Sequence, residues 1–211
     1  MNARFLLAAL TMLGLSGAAH AAGNFTEFDL NATTSDNDFG SGVEDRSQGM
    51  GVAARGRWFL EGDYFLQSEA AVHFTDGSTG GANYDLDSQL YRLGLGAQDY
   101  AGSRDLLAAF WVEVIYDRID IATSGGDRDT DNVGGAVQLR FDRASRDGRF
   151  LPYLQLGYLS TDDFDGAEAR LGARLNLADI QPYADVRYLD RDGDDAAIAQ
   201  VSFAIGARLP F

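Results

Sequence analysis

The chain has no cysteine and no lysine, and its 211 residues include only three prolines and two histidines. The first absence removes disulfides and thiol chemistry. The second leaves arginine to carry all 17 positive charges, against 32 acids, for a net charge of −15. That balance excludes a nucleic-acid partner, which requires a basic patch. No apolar run reaches the ~20 residues needed to cross a bilayer as a helix. Only His73 is available as an imidazole in the body of the chain, since His20 lies in the amino-terminal segment.

That segment reads as a secretory leader. Met1-Asn2-Ala3-Arg4 precedes the apolar run Phe5 to Leu15, and small residues close on Ala19-His20-Ala21. The pattern predicts a signal peptide over 1–21, with residues 22–211 forming one domain. Losing Arg4 with the leader makes the remaining chain one charge more negative.

Clusters of Gly, Asp, Asn and Ser punctuate the body of the chain, and alternating runs lie between them. They predict ten strands, near 25–34, 48–58, 64–75, 88–98, 105–120, 133–143, 150–160, 166–177, 180–190 and 196–211. Alternation gives each strand an apolar and a polar face. Leu66, Ala70, Val72 and Phe74 oppose Gln67, Glu69 and His73, and Val137, Leu139 and Phe141 oppose Gln138, Arg140 and Asp142. The stretch 106–121 breaks the pattern, because Trp111 and Ile115 share the face of Glu113 and Asp117.

Charge accounting decides which face is inside. The polar faces carry Arg55, Arg57, Arg92, Arg140, Arg170, Arg174, Arg187 and Arg208 against Glu27, Asp29, Glu69, Glu113, Asp117, Asp142, Glu168 and Asp185. Eight of each sign is the balance of an enclosed lumen, where unpaired charge is costly. A solvated face of so acidic a chain has no reason to balance. Gly94, Gly96, Gly172 and Gly206 share that inward parity and are expected to leave room for the long arginine side chains.

The connections also alternate. Those near 35–47, 76–87, 121–132, 161–165 and 190–195 hold seventeen acids against three arginines, whereas those near 59–63, 99–104, 144–149 and 178–179 are short and close to neutral. Long loops at one end and tight turns at the other fit a transmembrane barrel. Pro152, Pro182 and Pro210 all map to the tight-turn rim, where a missing ladder N–H costs least. Outward aromatics gather at two heights, Phe74, Tyr91, Tyr116, Tyr158 and Tyr188 toward the loops and Trp58, Tyr64, Phe141, Phe150 and Phe211 toward the turns. Membrane interfaces favour such belts.

With its alternating last strand, which carries Phe203, Ile205 and Leu209 on one face and ends on Phe211, the chain resembles the small OmpA- and OmpX-type outer-membrane β-barrel proteins of Gram-negative bacteria. Their terminal aromatic strand is read by the barrel-assembly machinery, so the resemblance implies that Phe203, Ile205, Leu209 and Phe211 form an assembly signal. It implies an all-β, antiparallel, up-and-down transmembrane barrel of about ten strands, with eight or twelve as alternatives. It further implies an outer-membrane location, lipid and lipopolysaccharide as neighbours, and a monomer.

The expected function is structural or surface-interacting, with a lumen packed by the Arg–carboxylate network. A narrow channel for small solutes or cations is the second reading, because lumen width near ten strands depends on side-chain packing. A lipid-modifying enzyme at His73 is the third. There Thr75 stands where barrel lipid A deacylases place a Ser, so a lumen hydrogen-bonding role is preferred to catalysis. Asp127–Asp131 and Asp190–Asp195 resemble calcium loops in composition but lack the twelve-residue pattern with its terminal Glu. The acidic loops could still take divalent cations bridging to lipopolysaccharide phosphates. No cofactor and no dedicated metal site are expected.

Overall fold

The structure, a computed structural model, describes residues 24–38, 44–79, 82–103, 105–123, 126–143, 148–177, 179–193 and 197–211. The expected leader lies outside these. Ten strands follow in order: β1 Phe25–Asp38, β2 Glu44–Phe59, β3 Tyr64–Thr79, β4 Ala82–Tyr100, β5 Leu106–Thr123, β6 Gly126–Arg143, β7 Phe150–Thr161, β8 Asp165–Leu175, β9 Gln181–Asp192 and β10 Ala197–Pro210. Each pairs antiparallel with its sequence neighbours, and β1 pairs with β10 from Phe25↔Pro210 to Asp38↔Ala197. The result is a closed up-and-down barrel. Closure satisfies the backbone polar groups that an open edge would expose.

Period-two patterning fixes the register. On β5, Trp111, Glu113, Ile115, Asp117 and Ile119 are buried inside, while Phe110, Val112, Val114 and Tyr116 face out. The exterior is correspondingly apolar: Leu93 and Leu95 are each 57% exposed, Val114 63% and Leu171 64%. A continuous surface of this kind would drive association in water, and it suits lipid. Aromatic side chains flank it, with Phe74, Tyr158 and Tyr188 exposed at one end and Tyr64, Tyr100 and Phe150 at the other.

The two rims differ, though not quite as the sequence suggests. At the turn rim, Gly62, Gly102 and Gly148 adopt φ of +72°, +75° and +67°, a left-handed conformation that side chains disfavour, and each allows a tight reversal. Pro152, Pro182 and Pro210 sit at ladder ends, each paired on one side only, with Ala173, Ala207 and Phe25. At the opposite rim the expected long loops are largely strand. β4 begins at Ala82 and β6 at Gly126, so Asp85, Asp87, Asp127, Asp129 and Asp131 lie on paired strands. Backbone pairing continues past the lipid belt, and Asp85, Asp87, Asp129 and Asp131 are exposed there, where the ladder costs them nothing.

Candidate functional site

The lumen is the one place where this barrel concentrates buried chemistry, and it is built in tiers. In the central tier, Arg92 Nη1 donates to Glu113 at 3.0 Å and Glu168 at 2.9 Å, and Arg187 Nη2 donates to Glu168 at 3.0 Å. Arg55 donates to Asp29 and, through Nε, to Glu69 at 3.1 Å. Arg170 donates to Asp185, which also accepts from the Tyr153 hydroxyl, while the Tyr183 hydroxyl donates to Asp29 at 2.9 Å. Gln138 Nε2 and Trp111 Nε1 complete Glu113 at 3.2 and 3.0 Å. These groups are almost wholly buried, so each charge depends on its partners.

The tier at the turn end is built differently. Arg140 Nε donates to Asp142 at 2.8 Å, Arg174 donates to the same carboxylate, and Arg208 Nε donates to Glu27 at 2.7 Å. Arg57 has no acid. Its Nε and Nη2 donate to Gln67 Oε1 at 3.0 and 2.6 Å, and its guanidinium lies 4.1 Å from the Phe65 ring centroid and 5.2 Å from that of Trp111. Arg208 stacks over Phe25 at 3.5 Å and Arg140 over Tyr153 at 4.0 Å. Phe65 and Trp111 meet edge to face. Aromatic faces here stand in for missing carboxylates, each contributing an attraction of ~0.5–2 kcal/mol.

All sixteen charged residues assigned to the lumen face inward, and the structure adds a seventeenth. Arg191, assigned to a loop by its place in the sequence, turns in and donates to Asp117 at 2.6 Å. Among the described residues the lumen therefore holds nine arginines against eight carboxylates. The inward glycines leave room mainly for rings rather than for arginines. A Cβ on Gly96 would sit 2.5 Å from Trp111 Cβ and 2.6 Å from the Phe65 ring, and one on Gly172 2.6 Å from the Tyr153 ring.

Sequence reasoning passed over the inward aromatics Phe25, Phe65, Tyr153 and Tyr183, and a buried apolar layer of Ala53, Ala71, Leu90, Ile115, Ala136, Leu159 and Leu189. The signal was present as parity: Phe65 alternates with Gln67, Tyr183 with Asp185, and Leu90 with Arg92.

Toward the loop end the lumen opens into a vestibule of about 60 Å³, lined in part by Thr33, His73, Thr75, Ser88, Asp117 and Arg191. Its floor includes Leu90 and Leu189 of the apolar layer. Deeper cavities of about 10 Å³ each have the room of one water molecule. The hydrogen-bonding role expected of His73 in the lumen is not met at Nδ1, which is buried without a partner.

Outside, aspartates meet aspartates across the strands, with Asp76 opposite Asp85, Asp87 opposite Asp120, and Asp120 opposite Asp129. Partial burial and the neighbouring Asp120, Asp85 and Asp76 push the Asp87 carboxyl above its ordinary value. No grouping of three or more His, Asp or Glu suited to a metal occurs among the described residues. Asp127–Asp131 do not form a loop, because their backbone is paired with β5 from Asp127↔Ala122 to Asp131↔Arg118. In β10, Phe203, Ile205 and Leu209 point outward at 53%, 54% and 40% exposure, and the Phe211 N–H donates to the Asn24 carbonyl at 3.0 Å.

No protein-family model matches the sequence, and no curated protein matches it. Solved structures do. The translocator domain of the autotransporter NalP from Neisseria meningitidis superposes with a TM-score of 0.56 at 12% identity, covering 99% of this chain and 96% of that one. The β domain of the Bordetella autotransporter BrkA gives 0.54 at 19% identity, covering 89% and 99%. An outer membrane channel from Pseudomonas putida F1 gives 0.53 at 10% identity, covering 92% and 97%. At these identities the likeness is one of architecture. Closed ladder, apolar girdle and structural likeness agree, and the chain has the fold of a bacterial outer-membrane β-barrel.

Proposed function

We propose that this protein is a closed, non-enzymatic barrel of the Gram-negative outer membrane, whose role is structural and surface-interacting. The observation that carries this reading is the cross-lumen bonding of Arg92, from β4 to Glu113 on β5 and to Glu168 on β8. With the apolar layer beside it, this tier supports a lumen that holds the wall rigid and passes little. The barrel then anchors an acidic extracellular rim, fit for basic partners or for divalent cations bridging to lipopolysaccharide phosphates. It works as a monomer, and Phe203, Ile205, Leu209 and Phe211 serve as its assembly signal. Catalysis at His73 is disfavoured by its lack of a bonded hydroxyl or carboxylate.

Planar-bilayer recording of the refolded protein tests the reading. The expected record is flat at 1 M KCl. Reproducible channel steps would replace the closed barrel by the narrow-pore reading.

A further inference from the structure

Among the described residues the lumen count leaves one charge over. Eight of its nine arginines each lie within 4.0 Å of a carboxylate, and every one of its eight carboxylates is engaged by at least one arginine. Arg57 is the remainder. It is 5% exposed, and among the described residues no carboxylate lies within ion-pair distance of it. Its polar partner is the neutral Gln67. A buried charge without a counter-charge is among the most expensive arrangements a protein can hold. The ring faces of Phe65 and Trp111 offset part of that cost, but they bring no negative charge.

The surplus is local as well as global. At the turn end Arg57, Arg140, Arg174 and Arg208 share two carboxylates, Glu27 and Asp142. Arg57 and Arg140 both border a cavity of about 10 Å³ that also reaches Arg170, whose Nε is buried and makes no hydrogen bond. The carboxylates bordering it, Glu27, Glu69 and Glu168, are already held by Arg208, Arg55 and Arg92. A space of this size takes one small body, about that of a water molecule.

We propose that this cavity is a binding site for a single small monovalent anion of the halide class, which neutralises Arg57. The excess of one positive charge among the described residues sets the valence. The anion accepts from guanidinium N–H groups on strands that are not neighbours, β2, β6 and β8, and so ties the barrel across its turn end. It acts as a fixed counter-ion of the plug, a property separate from whether the barrel conducts.

The test is thermal unfolding of the refolded barrel in a zwitterionic detergent, with sodium chloride compared against sodium gluconate at matched ionic strength. Gluconate supplies the same screening but is far too large for the cavity. The melting temperature is expected to rise with chloride by about 3–5 °C for each tenfold increase in concentration above the dissociation constant, and to stay flat in gluconate. Arg57→Met should abolish the difference. Equal melting curves in the two salts, or an Arg57→Met protein that keeps its chloride dependence, would overturn the site. Should that variant not refold, crystals of the unaltered protein grown in sodium bromide give the second reading. An anomalous peak beside Arg57 supports the proposal, and a cavity without one rejects it. Neither measurement involves conductance, so a failure here leaves the bilayer test of the closed barrel intact.

Discussion

The central tier and the turn-end tier of the lumen bury the same residue type by opposite means. In the centre, guanidinium groups fork between carboxylates: Arg92 spans Glu113 and Glu168, and Arg55 spans Asp29 and Glu69. At the turn end carboxylates run short, and arginines lie on the faces of Phe25, Phe65, Trp111 and Tyr153. Lysine, a compact and strongly hydrated point charge, suits neither arrangement as well, since arginine's planar fork both bridges carboxylates and stacks on rings. This gives a physical reason for a chain with 17 positive residues to contain no lysine. The difference also implies different tolerances. Central charges are mutually dependent, whereas the turn-end arginines lean in part on aromatic rings, which cost little to leave alone.

Arg92→Met should produce the largest effect. It strips Glu113 of its only arginine and leaves Glu168 to Arg187 alone. Breaking a buried network from one side typically costs ~3–5 kcal/mol, and urea unfolding of the refolded barrel, followed by tryptophan emission, would read it. A loss below ~1 kcal/mol would mean that the two tiers do not differ as described.

Phe65→Leu comes next. It keeps an apolar side chain but removes the ring nearest Arg57 and the edge contact to Trp111. The expected cost is ~1–3 kcal/mol from cavity formation and lost cation–π attraction. Arg174→Met should fall below both. Asp142 retains Arg140, Glu27 retains Arg208, and the turn-end surplus of positive charge falls by one. A loss of under ~1 kcal/mol, against the several expected for Arg92→Met, would show that position within the lumen decides the cost of losing an arginine.

Much of this was legible beforehand, and the unread parts share a cause. Strand count, closure, the inward set from Arg55 to Arg208, and the departure at Trp111 and Ile115 all follow from period-two parity, which backbone pleating enforces. Parity equally marked Phe65, Tyr153, Tyr183, Leu90 and Leu189 as inward. By residue type alone they look like lipid-facing positions, and only their position in the alternation marks them as inward. Arg191 falls in acid-rich sequence, which resembles loop when it lies on a solvated ladder. The match of Arg57 with a ring rather than a carboxylate has no sequence signal, since it depends on which neighbours the shear of the barrel brings level.

The rim offers the third and weakest version of the contrast, acids facing acids. Asp87 sits opposite Asp120 and close to Asp85 and Asp76, and its carboxyl is raised above the ordinary value. A raised carboxyl binds its proton more tightly in the folded hairpin than in the open chain. Folding is therefore favoured below the unfolded value, and that advantage is lost as pH climbs through the folded one. The window lies just above the ordinary aspartate range. Amide hydrogen exchange over residues 82–90 of β4, corrected for intrinsic rate, should show slower opening at the acid end of that window than at neutral pH. Asp87→Asn should slow the neutral-pH opening and flatten the dependence. Because the group is only partly buried and solvent screens it, the change should be confined to this hairpin and absent from the central tier. Equal pH dependence in both regions would instead point to a barrel that opens as one unit, and would remove the distinction between a solvated rim and a locked lumen.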